Sequence, residues 1–305
     1  MIQIENVTQE FRTGFWRKRA RILNDVSFEV PDGSVFGFLG ANGAGKTTLI
    51  HLIVGIRRPT QGRVRIGGVS ADTREARALL GYMPERPYFH EHLTAEKFLA
   101  YYADLSGIDP VRQRSRIADV LEEVGLKHAA KRELSKFSKG MLQRIGIGQA
   151  ILHDPQLLVL DEPMSGLDPL GRKEIRELIL GLAKRGRTVF FSTHVIHDAE
   201  TICDRVALLQ QGRLVGSGKI HELLRTESDE IEVGFSGISL DRLVKIEGVR
   251  AGEEIAEGVR VWVEGQEALQ RVLRESLKGK TKVLWAHPVR SSLESLFENG
   301  GVGSG

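Results

Sequence analysis

The segment Gly40-Ala41-Asn42-Gly43-Ala44-Gly45-Lys46-Thr47-Thr48 constrains the fold of this chain more than any other. It fits the pattern G-x-x-x-x-G-K-[ST]. The apolar run Ser34-Val35-Phe36-Gly37-Phe38-Leu39 before it reads as a short buried strand, and Leu49-Ile50-His51-Leu52-Ile53-Val54 after it reads as the opening turns of a helix. Strand, glycine loop and helix in that order make a phosphate cradle. Glycines let successive backbone N–H groups converge on an anion, and the helix N-terminus adds partial positive charge. Asn42, Gly43, Ala44, Gly45, Lys46, Thr47 and Thr48 are therefore the candidate nucleotide contacts. Lys46 is placed to reach the β- and γ-phosphates and the Thr47 hydroxyl to ligate Mg²⁺.

The rest of the composition narrows the setting. A chain of 305 residues can hold one large or two modest domains, and a net charge of +3 is too small to argue for nucleic acid. Cys203 is the only cysteine, so no intrachain disulfide or thiolate metal cluster is available, and an intracellular setting is expected. The opening Met1-Ile2-Gln3-Ile4-Glu5-Asn6-Val7 lacks the basic segment and apolar core of a secretory signal. No stretch approaches the roughly 20 apolar residues that span a bilayer. Work at a membrane would need another chain to do the spanning.

Ile2 to Val7 and Val26 to Val30 alternate apolar and polar residues, which predicts an antiparallel piece leading into the phosphate loop. Between them Arg12 to Arg21 carries five basic residues and no acid, with Phe15 and Trp16 among them. This arm reads either as a solvated hairpin or as a contact for anionic headgroups. Helical patterning runs from about Leu93 to Gly148, broken near Gly107-Ile108-Asp109-Pro110 and at Gly125. Gln156 to Leu160 and Thr188 to Ser192 read as covered strands, with a helix from about Pro169 to Arg185 between them. A polar stretch from Arg225 to Glu230 marks a boundary. Beyond it, alternation at Ile231, Val233 and Phe235 and at Val259, Val261 and Val263 predicts a small α/β unit over 226–298, with a glycine-rich flexible tail over 299–305.

Leu157-Leu158-Val159-Leu160-Asp161-Glu162 is an apolar strand that ends in two acids. Asp161 suits a Mg²⁺ contact, and Glu162 suits the polarisation of water attacking the γ-phosphate. Ser165-Gly166-Leu167-Asp168 and Ser192-Thr193-His194 follow. Taken in this order, the motifs over about residues 1–225 resemble the ATP-binding subunits of ABC transporters, and the signature variant and tail resemble drug- or polysaccharide-exporter types (ABC-2). The resemblance implies a P-loop ATPase core over 1–225, with a mixed sheet, a helical subdomain at about 85–150 and the N-terminal antiparallel piece, followed by the small C-terminal α/β domain.

By that resemblance Asp168 sits in a loop at a dimer interface and His194 at the γ-phosphate. His194 also follows a sheet strand, on the side where ligands collect. The family signature L-S-G-G-Q is matched only at Ser138 and Gly140 of Phe137-Ser138-Lys139-Gly140-Met141, ahead of a helix that offers donors to a phosphate. Glu85 of Gly81-Tyr82-Met83-Pro84-Glu85 stands where the family usually has Gln, keeping an oxygen for metal and nucleotide but adding a charge. An aromatic usually stacks on adenine, and Phe11 fits that role by position, with Phe15 and Trp16 as rivals. A packing role for Phe11 fits equally.

The implied activity is ATP hydrolysis with ATP and Mg²⁺. It would run in a head-to-tail pair of this chain or of related cassettes, bound to a membrane-spanning permease at the cytoplasmic face. No nucleic-acid partner is expected. The segment from about Glu85 to Leu134 would relay motion to the permease; its aromatics Tyr88, Phe89, Phe98, Tyr101 and Tyr102 are equally readable as core. The alternative is a soluble ATPase of the same family acting on nucleic acid or ribosomes, although such relatives usually carry two cassettes or a long coiled coil. A GTPase is disfavoured because no N-K-x-D motif is found.

Overall fold

Val35–Leu39 and Leu157–Leu160 are apolar throughout, so a strand made of either must be covered on both faces. The computed structural model, which describes residues 1–13, 18–223, 230–278 and 281–288, meets that requirement in the first of two units. Described residues up to Ile220 belong to one unit and those from His221 to the other.

The chain opens with β1 (Ile2–Thr13), β2 (Lys18–Val30), β3 (Val35–Leu39) and α1 (Lys46–Ile53). β4 (Gln61–Ile66), β5 (Val69–Ser70), α2 (Arg74–Leu79) and β6 (Leu80–Met83) follow. Next come α3 (Ala95–Leu105), α4 (Pro110–Glu123) and α5 (Lys139–Ile151). β7 (Leu157–Leu160), α6 (Pro169–Lys184), β8 (Thr188–Thr193), α7 (Ile196–Ile202), β9 (Arg205–Gln210) and β10 (Arg213–Lys219) complete the unit. A short helix, α8 (Ile220–Leu223), comes next.

Six strands form one sheet in the order β10-β9-β3-β8-β7-β6, parallel except for β10. A second, antiparallel sheet has the order β2-β1-β4-β5. The period of two along each central strand sends successive side chains to different cores. Phe36, Phe38, Leu157, Val159 and Phe190 join α1 and the antiparallel sheet. Val35, Leu158, Leu160, Val189 and Phe191 join α3 to α6 on the opposite face. Phe28, Phe36, Phe38 and Phe190 stack between the two sheets, with Phe36 and Phe190 ring centroids 5.8 Å apart.

The helical stretch is interrupted more than its pattern predicts. Gly125, at φ +70°, ends α4 in the left-handed region, and only single 3₁₀ turns at Lys127–Ala129 and Leu134–Lys136 precede α5. The aromatics of this region divide. Phe98 is fully buried and Phe89 and Tyr102 partly so, while Tyr88 and Tyr101 face solvent. Of the basic arm, Gly14–Arg17 lie outside the described residues; Arg19 and Arg21 both pair with Glu10 along the β1–β2 hairpin.

The second unit comprises β11 (Glu230–Ser236), α9 (Leu240–Leu243), β12 (Val249–Ile255), β13 (Gly258–Glu264), α10 (Gly265–Ser276) and β14 (Lys282–Pro288). Its sheet, ordered β12-β13-β11-β14 and antiparallel throughout, is the split βαββαβ arrangement of ferredoxin-like folds. One face packs Val233, Phe235, Val261 and Val263 on Leu243, Ala268 and Val272. On the other face the Arg260 guanidinium lies 4.9 Å over the Trp262 ring. The proposed tail over 299–305 and the Arg225–Glu230 boundary fall on residues outside the described set, except Glu230.

Phe190 has no exposed surface and shares rings with both sheets, so Phe190→Ala should leave a void and cost about 3–5 kcal/mol. Equilibrium urea unfolding of the first unit's transition checks this; a loss below about 1 kcal/mol would contradict the stack's role.

Candidate active site

The parallel strands β3, β7 and β8 end side by side, because Leu39 pairs with Thr193 and Leu160 with Phe191. Their C-terminal tips therefore deliver the glycine loop, Asp161-Glu162 and His194 to one place, on the side of an open parallel sheet where ligands bind. The loop between Leu39 and Lys46 is a run of turns whose Ala44 N–H bonds the Ala41 carbonyl at 3.1 Å. Gly45 caps α1 at φ +111°, and a Cβ there would press on Leu23 and the Ile22 carbonyl, so the sequence needs glycine at this point.

A cavity of about 340 Å³ opens over the loop, lined by Asn42, Gly43, Gly45, Lys46, Thr47, Thr48, Glu85, Glu162, Ser165, His194 and Ile22. Lys46 is nearly buried; its Nζ donates to the carbonyls of Gly40 (2.7 Å) and Ala41 (3.2 Å). The same ammonium forms an ion pair at 3.2 Å with Oε1 of Glu162, without hydrogen-bond alignment. Oε2 of Glu162 meets Nδ1 of His194 at 2.9 Å. A carboxylate can only accept, which puts the proton on Nδ1.

Ser192 ties the two acids together. Its hydroxyl donates to Oδ1 of Asp161 at 2.6 Å and accepts the Glu162 N–H at 2.9 Å. That hold matters because Glu162 has φ +49°, a left-handed backbone that a non-glycine residue adopts only when its surroundings require it. Burial pushes the Asp161 carboxyl above its ordinary range; the Ser192 and Thr47 hydroxyls oppose the shift, and the charges of Glu162 and Glu85 add to it. Burial, with the charge of Asp161, also raises the neighbouring Tyr82 hydroxyl to about 12.

Oδ2 of Asp161 is buried without a hydrogen-bond partner, and the Thr47 hydroxyl acts on the same carboxyl. An unpaired carboxylate oxygen, a hydroxyl and excess negative charge suit a hard divalent cation with oxygen ligands, so the donor set fits Mg²⁺.

Other sequence-derived residues lie elsewhere. Ser138, Gly140 and Asp168 do not line the cavity. Ser138 caps α5 by accepting from Met141 N–H at 3.3 Å, and Asp168 caps α6 by accepting from Gly171 N–H at 2.8 Å. Phe11 does not line the cavity over the glycine loop either. The hairpin register pairs Phe11 with Ala20, its ring lies under the Arg57 guanidinium at 5.1 Å, and Ile22 of β2 forms the cavity wall instead. The rivals Phe15 and Trp16 lie outside the described residues. Sequence reasoning assigned no role to Ile22, Ser165 or Ser192. Ser192 was detectable in principle, being the polar end of an apolar strand two residues before His194.

The residues from 23 to 165 match the family model described as ABC transporter. The chain is 45% identical over 240 residues to an uncharacterised ABC transporter ATP-binding protein of Nostoc sp., covering 78% of this chain and 72% of the relative. The chain belongs to the ATP-binding proteins of ABC transporters. It is also 35% identical over 250 residues to the linearmycin resistance ATP-binding protein of Bacillus subtilis, covering 81% of this chain and 78% of that one. A solved ATP-binding subunit of an ABC transporter superposes with a TM-score of 0.63 at 32% identity, over 74% of this chain and 92% of its own. The cassette of this family binds ATP, and its reaction is ATP hydrolysis.

Two substitutions probe the buried acids. Ser192→Ala removes the tie to both and should lower turnover about 10- to 100-fold with the fold intact, measured by phosphate release and circular dichroism. Asp161→Asn concerns stability. The raised folded-state pKa means that Asp161 contributes stability below its unfolded pKa, which is lost as pH rises through the folded value. At neutral pH without nucleotide, Asp161→Asn should therefore raise Tm, as read by thermal unfolding. A fall in Tm would contradict the burial penalty.

Proposed function

We propose that this chain powers an exporter as its ATP-hydrolysing subunit, working on Mg²⁺-ATP in a head-to-tail pair attached to a separate membrane-spanning permease. One observation carries the reading. The cavity gathers Lys46, Thr47, Glu162 and His194, but Ser138, Gly140 and Asp168 of the same chain do not line it. If all of these residues serve one reaction, a second molecule must supply the last three.

In the nucleotide-free chain Lys46 is occupied by two carbonyls and by Glu162. An arriving triphosphate offers Lys46 a stronger anion and frees one oxygen of Glu162 for water. Glu162 accepts a proton as the water oxygen bonds to the γ-phosphorus; the bond from that phosphorus to the β–γ bridging oxygen breaks, leaving ADP and phosphate. His194 holds the second oxygen of Glu162 and fixes its orientation. Thr47 and Asp161 would hold Mg²⁺, which when bound neutralises phosphate charge, and Glu85 adds a third carboxylate facing the same space. From the second copy, the Ser138 hydroxyl and the free N–H groups of α5 would face the γ-phosphate, so that ATP favours the closed pair by its differential affinity.

Among the described residues no helix is long and apolar enough to cross a membrane, which supports attachment to the cytoplasmic face through a partner chain. The linearmycin resistance relative supports outward transport. The two units support a division into an ATP-binding domain and a small C-terminal domain.

Glu162→Gln keeps the shape of the side chain and removes the proton acceptor. It should abolish all but about 1% of turnover, the loss typical of a missing general base, while giving an ATP-dependent dimer in size-exclusion chromatography. Near-normal hydrolysis would sink the assignment. Affinity capture of the tagged chain from detergent-solubilised native membranes should bring down a multi-spanning protein. Ribosomal or DNA-associated proteins without one would favour the soluble alternative.

A further inference from the structure

Three acidic residues are buried among the described residues, and only two of them, Asp161 and Glu162, belong to the nucleotide site. The third, Asp198, is 1% exposed, stands in the first turn of α7 and does not line the cavity over the glycine loop. Its carboxylate faces α6. The Arg176 guanidinium donates to Oδ1 at 2.9 Å, and that of Arg172, one turn earlier, lies 3.7 Å from Oδ2. Each oxygen thus meets its own cation, which holds the group against rotation. Apolar side chains of similar volume commonly serve stability as well as a buried ion pair or better, so the arrangement calls for another reason.

The place of Asp198 in the chain supplies one. α7 begins two residues after His194 and has no side-chain cap at its start. Its far end is anchored by Ile202, which packs in the core with α3 to α6. At its near end the Asp198 N–H bonds the Val195 carbonyl at 3.2 Å, and the Val195 N–H bonds the Thr193 hydroxyl at 3.0 Å. His194 lies inside this short run, just past the tip of β8. Its side chain is 40% exposed, so packing alone leaves the ring room to turn away from Glu162. The direction of the backbone into α7 therefore decides whether Nδ1 reaches Oε2 of Glu162.

We infer that Asp198 is a positioning residue for ATP hydrolysis: clamped by Arg172 and Arg176, it fixes the start of α7 and with it the direction from which His194 meets Glu162. The inference rests on the role of His194 proposed above and adds the anchor that sets it. Asp198 lies outside the nucleotide cavity, so its effect on the reaction passes through His194.

The test uses the full chain, with turnover read by phosphate release and the histidine ring nitrogens read by magnetic resonance at alkaline pH. The ring signal missing from His194→Ala is that of His194. In the unaltered chain it should show the proton on Nδ1, as the bond to Glu162 requires. Asp198→Asn keeps an acceptor for Arg176 and removes the charge. It should turn the His194 signal into a mixture of both tautomers and lower turnover about 10-fold, with circular dichroism showing the fold intact. A purely structural role would leave the His194 ring as it was. Should Asp198→Asn fail to fold, Arg176→Gln, which opens the same pair from its more exposed side, takes its place. An unchanged His194 signal, or unchanged turnover, would overturn the inference and leave the role of His194 intact. A His194 ring without the Nδ1 proton in the unaltered chain would overturn both.

Discussion

Everything at the nucleotide site depends on keeping two adjacent carboxyl groups ordered and ionisable at the end of a buried strand. Burying such groups is costly unless hydrogen bonds and opposite charge offset the loss of water. Ser192 is the economical answer, one hydroxyl that donates to Asp161 and accepts from the backbone of Glu162. It can do so only because β7 and β8 lie in parallel register, with Leu160 opposite Phe191, which puts the end of one strand beside the end of the other. The register is in turn held by apolar side chains that alternate between two cores. Slippage by one residue would send every one of them to the wrong face. Packing far from the chemistry thereby fixes the chemistry to within a hydrogen bond.

The glycine loop shows the same dependence from the other side. Its positive-φ residues allow the backbone to fold back over α1, while the Gly40 N–H is anchored to the carbonyl of Thr193 at 3.3 Å. The loop is thus attached to the strand that carries His194. The glycine loop, Asp161-Glu162 and His194 stand on three strand tips joined by short polar contacts, with α1 packed in the core behind them.

Much of this was legible in the sequence. Uninterrupted apolar runs such as Leu157–Leu160 mark strands covered on both faces, and a glycine loop between a strand and a helix has few other uses. The less legible parts have physical reasons. β12 carries no fully buried residue and lies at a sheet edge, so no period of two marks it. The 3₁₀ turns before α5 are too short for any periodic signal. Ile22 reaches the cavity wall from β2 of a hairpin whose register shifts between Ile4 and Glu10, a placement that no local spacing encodes.

The ion pair of Lys46 with Glu162 has a consequence for which nucleotides the cassette can tell apart. The protein's own carboxylate occupies the ammonium when no ligand is present, so every ligand must outcompete an anion that is always at hand. Coulomb attraction falls with the charge brought close, so an anion placing less charge near Lys46 competes less well for it. A single internal counter-ion thus makes the empty site electrostatically self-contained, with its cation already matched.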